Sequence, residues 1–467
     1  MNKDIEIISL PLQLPNGVTV PNRLAKAAMA EGMGRSGLTS GHLRLYRQWA
    51  EGGWGIVISG NVQVDPRHLA TPFDLRVTDD PRERLAYSHL ASTNSIQHEP
   101  ALLLMQISHP GLQSSATLSF SRPIWEPAIA PCSARPYVGD GILGWIYEHL
   151  LWPKKSRKVE SVEEWLKIVD QFVYTAEMAA EASWDGVQIH SAHGYLLAEY
   201  LSPLTNPNPT PLPGVPPMVP LRLHPLYLIL RGIHQKTQKS FVKSVKVNCS
   251  DFVQGGDVIG LDEKQASEII KNLASWDLID IIEISGGNYS SPAFASAETL
   301  SLPLSKRQSL FAHFTTFLLP SLPPPPLGPA ILLTGGLHRR RLIASSLRER
   351  ACDLVGIGRP ACLVPDIPMR IILNIKVPDD CAEVGGYTIP QSNFLKFVLG
   401  GSSKAGGGIP LVGAGISTMW HTWQMCRIGR GVQPDREMPW LRGLIIESIW
   451  KGMAKREGDG IAHDRNY

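Results

Sequence analysis

The chain has 467 residues, of which 43% are hydrophobic and 19% are charged, and its formal net charge is +3. This composition excludes wholesale disorder and allows a sizeable core, and the charge is too small and too evenly spread to indicate a nucleic-acid partner. The six cysteines form no Cys-x-x-Cys pair, which is typical of reduced thiols in a cytoplasmic protein. The acidic N-terminal residues and the lack of a long apolar run predict neither a signal peptide nor a membrane span.

Short apolar runs alternate with amphipathic segments through most of the chain. Eight runs predict strands, at 23–29, 54–60, 101–107, 185–190, 241–247, 279–284, 330–334 and 353–357. Apolar residues at helical spacing predict helices at 161–183, 261–275 and 338–350. Eight strands with intervening helices predict a parallel sheet closed into a (β/α)8 TIM barrel. The alternative is an open doubly wound sheet, but no Gly-x-Gly-x-x-Gly fingerprint follows the first predicted strand.

Two atypical proline-rich insert regions interrupt this pattern. Residues 206–225 contain eight prolines, and residues 319–329 include four consecutive prolines at 323–326. Since proline lacks the backbone donor and clashes inside a helix, both regions are predicted to be loops or polyproline segments. The alternation stops beyond about residue 380, so we predict a barrel domain over 1–375 and a C-terminal extension over 376–467. We expect helices near 417–429 and 440–455, packed on the barrel or on a partner subunit.

A group of chemically active side chains follows the fourth predicted strand. His190, His193 and Tyr195 stand where that strand opens into a loop, and the carboxyl ends of parallel strands are where catalysis usually sits. Two imidazoles and a phenol placed together can bind a carbonyl oxygen and deliver a proton. No metal is predicted here, because the zinc motif His-Glu-x-x-His places its ligands at i and i+4, and no Glu lies between these histidines.

Glycine-rich turns follow the last two predicted strands. Thr334-Gly335-Gly336 ends the seventh strand, and Gly356-Ile357-Gly358-Arg359-Pro360 ends the eighth. Glycines let backbone N–H groups approach phosphate oxygens, and Arg359 adds a charge-assisted pair. The alternative for either turn alone is that its glycines only shape the turn. Both turns together predict a phosphate site, since barrels frequently bind phosphate in these two loops.

Residues 185–204 closely resemble the active-site strand of the old yellow enzyme family, the flavin-dependent NAD(P)H oxidoreductases. Further landmarks match in order, from Pro21-Asn22-Arg23 through Lys26-Ala27-Ala28-Met29 to His109-Pro110-Gly111. The resemblance implies an FMN site at the barrel mouth. The residues implied to bind FMN are Ala28, Met29, Ala30, Gly60, Gln106, Lys246, Gly335, Gly336, Gly358 and Arg359.

Three of these residues carry specific expectations from the resemblance. Gln106 would hydrogen-bond the pyrimidine edge of the flavin, and Lys246 would stabilise the negative charge of the reduced ring. Ala30 stands where the family usually has a Thr or Cys that hydrogen-bonds the flavin, and Ala cannot. An altered flavin potential is therefore expected.

The resemblance implies an oxidoreductase that takes hydride from NADH or NADPH and reduces the C=C bond of an α,β-unsaturated carbonyl compound. Such enzymes also serve specialised metabolism. His190 and His193 would stabilise the developing enolate. Tyr195 would protonate the α-carbon, since a phenol with a reference pKa of about 10 is protonated at neutral pH. Expected partners are a small-molecule enone and a second copy of the chain in a homo-oligomer. Two alternatives stay open: a flavin-dependent isomerase or oxidase, and a degenerate, non-catalytic barrel.

Overall fold

Eight parallel strands form a closed ring in the computed structural model. The described residues are 2–35, 37–94, 100–137, 141–251, 260–285, 314–315, 318–385, 389, 410–440 and 442–443. The barrel strands are β1 (Leu24–Lys26), β2 (Ile56–Gln63), β3 (Leu102–Ser108), β4 (Gly186–Ser191), β5 (Val242–Asn248), β6 (Ile281–Ser285), β7 (Ala330–Thr334) and β8 (Leu354–Ile357). Strand β1 pairs with both β8 and β2. This closure confirms the predicted (β/α)8 barrel and excludes the open sheet.

Helices surround the barrel, and those that follow the barrel strands, such as α6, pack an apolar face against it. They are α1 (Lys3–Ser9), α2 (Ser40–Ala50), α3 (Pro81–Asn94), α4 (Ala116–Ser119), α5 (Gly141–Leu151), α6 (Val162–Glu181), α7 (Leu196–Leu201), α8 (His224–Lys236), α9 (Glu263–Ala274), α10 (Arg340–Arg348) and α11 (Pro410–Gly429). Side-chain caps begin two of the predicted helices: Ser161 accepts from the N–H of Glu164, and Asp262 forms a capping box with Gln265. None of the described helices combines the length and apolarity needed to cross a membrane.

The barrel interior changes from apolar to polar along its axis. Its amino-terminal half is filled by aliphatic side chains such as Ile56, Ile58 and Leu104. An N-terminal hairpin pairs Leu12–Gln13 with Thr19–Val20, and its Leu14 and Val20 belong to the same cluster. Toward the carboxyl ends of the strands, the inward positions become polar. They include Gln106, Gln188, Ser244, Lys246 and Glu283. The apolar half stabilises the barrel, and the polar half positions the functional groups.

The proline-rich regions follow the prediction except at their ends. Leu221–Leu223 and Leu319–Ser321 are single 3-10 turns. Helix α8 begins at His224, so Pro225 lies in its first turn. The loop predicted over 206–225 therefore extends wrongly into α8. Proline is tolerated there because a first-turn N–H has no intrahelical partner. The first region is packed, since Leu212 and Val219 are buried and Tyr200 donates to the carbonyl of Thr210 at 2.6 Å.

The described part of the C-terminal extension packs on the barrel. The predicted helix near 417–429 is the second half of α11, which lies against α2 and the turn Arg359–Cys362. The hydroxyl of Thr422 donates to the carbonyl of Ala30 at 3.0 Å, and Nε of Arg44 donates to the carbonyl of Gly429. The helix predicted near 440–455 falls mostly outside the described residues.

Candidate active site

The end of β4 brings together the three residues that the sequence singled out. The His190 ring lies 4.4 Å from the Tyr195 ring and 5.2 Å from the His193 ring, measured between centroids. The chain turns sharply here, with positive φ at His193 (60°) and Gly194 (72°). Tyr195 is then the N-cap residue of α7, and its backbone N–H donates to the carbonyl of Ala192. The short, strained turn therefore clusters two imidazoles and a phenol at the barrel mouth.

Both histidines are neutral at pH 7. Burial, with a smaller contribution from the Lys246 cation, holds the pKa of His190 and of His193 well below the usual value. The backbone N–H of Ala192 donates to Nδ1 of His190 at 3.3 Å, which places the single proton of His190 on Nε2. Nε2 of His193 is 2.8 Å from the hydroxyl of Ser285. His190 can thus donate one hydrogen bond from Nε2 without carrying a charge.

A chain of buried polar contacts crosses the barrel beside and below His190. Nζ of Lys246 is 2.8 Å from Oε1 of Glu283, and both side chains are buried. Gln188 donates through Nε2 to Oε2 of Glu283 at 2.7 Å, and its own Oε1 accepts from Nε2 of Gln106 at 2.7 Å. Gln106 and Lys246 were predicted from the sequence, whereas Glu283 and Gln188 were not. The only available signal was a charged residue within the apolar run of β6.

The loop after β1 packs closely against β2 and β8. Ala28, Met29 and Ala30 are half-buried there. A Cβ at Gly60 would lie 2.2 Å from Oε2 of Glu31 and 2.7 Å from the carbonyl of Met29, so only glycine fits. The backbone N–H of Gly60 donates to Oε1 of Glu31 at 2.8 Å. The predicted need for a small residue at Gly60 therefore has a local cause, the buried carboxylate of Glu31, which the sequence analysis did not name.

The turns after β7 and β8 lie side by side, because Thr334 pairs with Gly356. Gly335 and Gly336 both have positive φ, which only glycine adopts readily. The buried hydroxyl of Thr334 has no hydrogen-bond partner among the described residues. A Cβ at Gly356 would lie 2.1 Å from this hydroxyl, so the approach depends on glycine.

Arg359 completes this pair of turns. Burial lowers the pKa of its guanidinium, and within the described ranges no carboxylate pairs with it. A half-buried cation, a hydroxyl without a partner among the described residues and glycine-lined turns are the donor set that a phosphate needs. The residues present therefore fit the phosphate of FMN, and Lys246 supplies a cation at the mouth for the ring.

A second histidine cluster lies at the ends of β2 and β3. Nδ1 of His68 is 2.8 Å from Oδ2 of Asp65, and Nε2 of His109 is 4.0 Å from the same oxygen. Two imidazoles and a carboxylate can bind a metal. Here, however, the N–H of Gly111 donates to Nδ1 of His109, so the proton of neutral His109 lies on Nε2 and faces Asp65. A protonated Nε2 cannot bind a metal, so the arrangement favours a carboxylate that is hydrogen-bonded by His68 over a metal site.

Known proteins resemble this chain in sequence and in fold. Residues 8–211 match the model of the NADH:flavin oxidoreductase / NADH oxidase family. The NADH-dependent flavin oxidoreductase iliE of Hypocrea jecorina is 33% identical over 382 residues, which cover 80% of this chain and 91% of that protein. The NADPH dehydrogenase of Halalkalibacterium halodurans is 25% identical over 370 residues, which cover 77% of this chain and 92% of that protein.

A solved structure supports the fold independently. The old yellow enzyme homologue from Zymomonas mobilis superposes with a TM-score of 0.59 at 20% identity, covering 80% of this chain and 94% of that one. At this identity the likeness shows the fold alone. Taken with the sequence relatives, it leads to one conclusion. The chain belongs to the NADH:flavin oxidoreductase / NADH oxidase family, the old yellow enzyme-type oxidoreductases that use FMN with NADH or NADPH.

Proposed function

We propose that the protein reduces the C=C bond of an α,β-unsaturated carbonyl compound. The observation that supports this most directly is the convergence of His190, His193 and Tyr195 at the mouth, with Lys246 beside His190 on the neighbouring strand β5. FMN held at this site would supply a hydride to the β-carbon after its own reduction by NADH or NADPH. The residues of the chain then have to bind the carbonyl oxygen and deliver one proton.

The neutral imidazoles suit the first of these tasks. Nε2–H of His190 can donate to the carbonyl oxygen, and this hydrogen bond strengthens as enolate charge develops on that oxygen. A charged imidazolium at the same place would instead repel Lys246, which is consistent with the lowered pKa of both histidines. We propose His193 as the second donor. Its contact with Ser285 would fix the plane of the His193 imidazole ring.

The proton-transfer task falls to Tyr195, which is only 4% exposed. Its O–H bond breaks as a C–H bond forms at the α-carbon, and the phenolate is then reprotonated from solvent. Burial in the mouth keeps bulk water from competing as the proton source. The substrate would therefore be an enone or enal small enough to reach the ring of Tyr195.

The test is anaerobic turnover of 2-cyclohexen-1-one with NADH or NADPH, with the saturated ketone measured by gas chromatography. Tyr195→Phe should lower enone reduction about 100-fold or more while cofactor reduction by NAD(P)H is retained. Tyr200→Phe is the matched control, because that phenol lies at the other end of α7 and donates to the carbonyl of Thr210. If Tyr195→Phe reduces the enone at the wild-type rate, Tyr195 is not the proton donor. Formation of a positional isomer without NAD(P)H consumption would favour the isomerase alternative.

Three further expectations stay proposals. We propose residues 1–375 as the barrel domain and 376–467 as its extension, a cytoplasmic location, and a homo-oligomer. The last is consistent with the exposed apolar side chains of α5, where Ile142 is 79% and Trp145 is 60% exposed. Light scattering during gel filtration would measure the oligomeric state.

A further inference from the structure

A β-bulge in β2 changes which side chains face the barrel mouth. Ile58 pairs with Leu104, but the next pair is Asn61 with Gln106, so β2 has one residue more than β3 in this interval. Before the bulge Ile56 and Ile58 lie in the interior cluster, whereas after it Val62 belongs to the cluster outside the barrel. The extra residue therefore reverses the alternation and turns Asn61 inward.

The bulge is held by specific contacts. The hydroxyl of Ser59 accepts from the backbone N–H of Gln106 at 2.9 Å and donates to the carbonyl of Gly60 at 2.7 Å. Glu31 accepts from the N–H of Gly60. These contacts satisfy polar groups that a regular ladder would have paired, so the irregularity is built into the fold rather than tolerated by it.

Asn61 reaches the phenol of Tyr195 from this position. Its side-chain N–H donates to the Tyr195 hydroxyl oxygen at 3.0 Å, across 134 residues of sequence. We propose that Asn61 is a positioning residue for proton transfer, which holds the phenol oxygen in place and stabilises the phenolate left when the proton moves to carbon. This inference rests on the proposed role of Tyr195.

The chemistry of an amide explains why this residue type suits the position. The Asn61 N–H is a donor that does not titrate, so it leaves the O–H proton for the substrate and cannot take it. As the O–H bond breaks, the acceptor oxygen gains negative charge, and a hydrogen bond to a charged group is stronger than one to a neutral group. The contact therefore favours the transition state over the ground state.

The test compares Asn61→Leu and Asn61→Asp with the wild-type holoenzyme. Asn61→Leu should slow cofactor reoxidation by 2-cyclohexen-1-one roughly 10-fold, leave reduction by NAD(P)H unchanged, and move the high-pH limb of the rate profile to higher pH. Asn61→Asp, which is isosteric, should move that limb further, because a carboxylate opposes a neighbouring phenolate. Asn272→Leu is the matched control, since that amide donates to a carbonyl on the surface of α9.

A second measurement does not depend on turnover. In protein labelled with ¹³C at tyrosine Cζ, the Tyr195 signal is the one lost in Tyr195→Phe, and its titration should move to higher pH in Asn61→Leu. An unchanged titration and an unchanged reoxidation rate in Asn61→Leu would overturn the inference. If the cofactor in Tyr195→Phe is also reoxidised at the wild-type rate, the proposed function fails as well. If reoxidation is slow only in Tyr195→Phe, Tyr195 remains the proton donor and the role of Asn61 alone is rejected.

Discussion

The ion pair between Lys246 and Glu283 provides the sharpest test of how the barrel mouth is built. Nζ and Oε1 are 2.8 Å apart, and the two side chains are 5% and 0% exposed. Replacing Lys246 by Met removes the cation and leaves the Glu283 carboxylate buried with the amide of Gln188 as its donor. Removing one partner of a buried pair costs about 3–5 kcal/mol, because the remaining charge is desolvated without compensation. We expect Lys246→Met to lose about this much free energy of unfolding.

The double variant Lys246→Met/Glu283→Gln separates this cause from lost packing. With both charges gone, no uncompensated ion remains, and the carbonyl oxygen of the new side-chain amide can still accept from Gln188. We therefore expect most of the lost stability to return. The assay is urea unfolding of the FMN-free proteins followed by circular dichroism, repeated at saturating FMN to add the binding contribution. A Lys246→Met variant that loses less than about 1 kcal/mol, or a double variant that loses the sum of the singles, would refute the reasoning.

Three further predictions concern the cofactor site and acid stability. Gly60→Ala should cost about 1–3 kcal/mol, because its Cβ would overlap the Glu31 carboxylate, whereas Gly385→Ala, whose Cβ would meet no described atom within 4 Å, should change thermal unfolding little. Arg359→Met should weaken FMN binding about 10- to 100-fold in a fluorescence titration but leave riboflavin binding unchanged, since only FMN carries a phosphate; equal weakening of both would place Arg359 elsewhere. Burial lowers the pKa of His421 to about 4. Between this pKa and the higher pKa of the unfolded chain, protonation favours unfolding, so the protein loses stability as the pH falls through this range. Acidification from pH 7 to 5 should therefore cost about 2 kcal/mol through this residue, and His421→Leu should show a correspondingly smaller pH dependence of urea unfolding.

The elements that were predicted correctly share a local cause. Each barrel strand is a short apolar run because it is buried on both faces, and each predicted helix repeats its apolar residues at helical spacing, so the pattern identifies both without tertiary information. His190, His193 and Tyr195 were identifiable for the same reason, since all three lie at the end of one strand within six residues of sequence. Residues that follow one strand end reach the same mouth whatever the neighbouring strands do.

The missed residues depend on neighbours that are distant in sequence. Glu283 was overlooked because its role depends on the register that places it opposite Lys246. Glu31 matters through a close approach to Gly60, and Asn61 through the bulge that turns it toward Tyr195. No periodicity in the sequence predicts these contacts, since a register or a bulge is a property of two paired strands.

Sequence alone was sufficient to predict a closed eight-stranded barrel, with candidate catalytic groups after the fourth strand and candidate phosphate-binding turns after the last two. It could do so because burial on both faces and glycine at positive φ are constraints that act on single residues and their immediate neighbours. Only the folded chain decided which charges and amides meet at the mouth. Those contacts follow from strand register and from one extra residue in β2, both of which arise when separate strands close around a common axis.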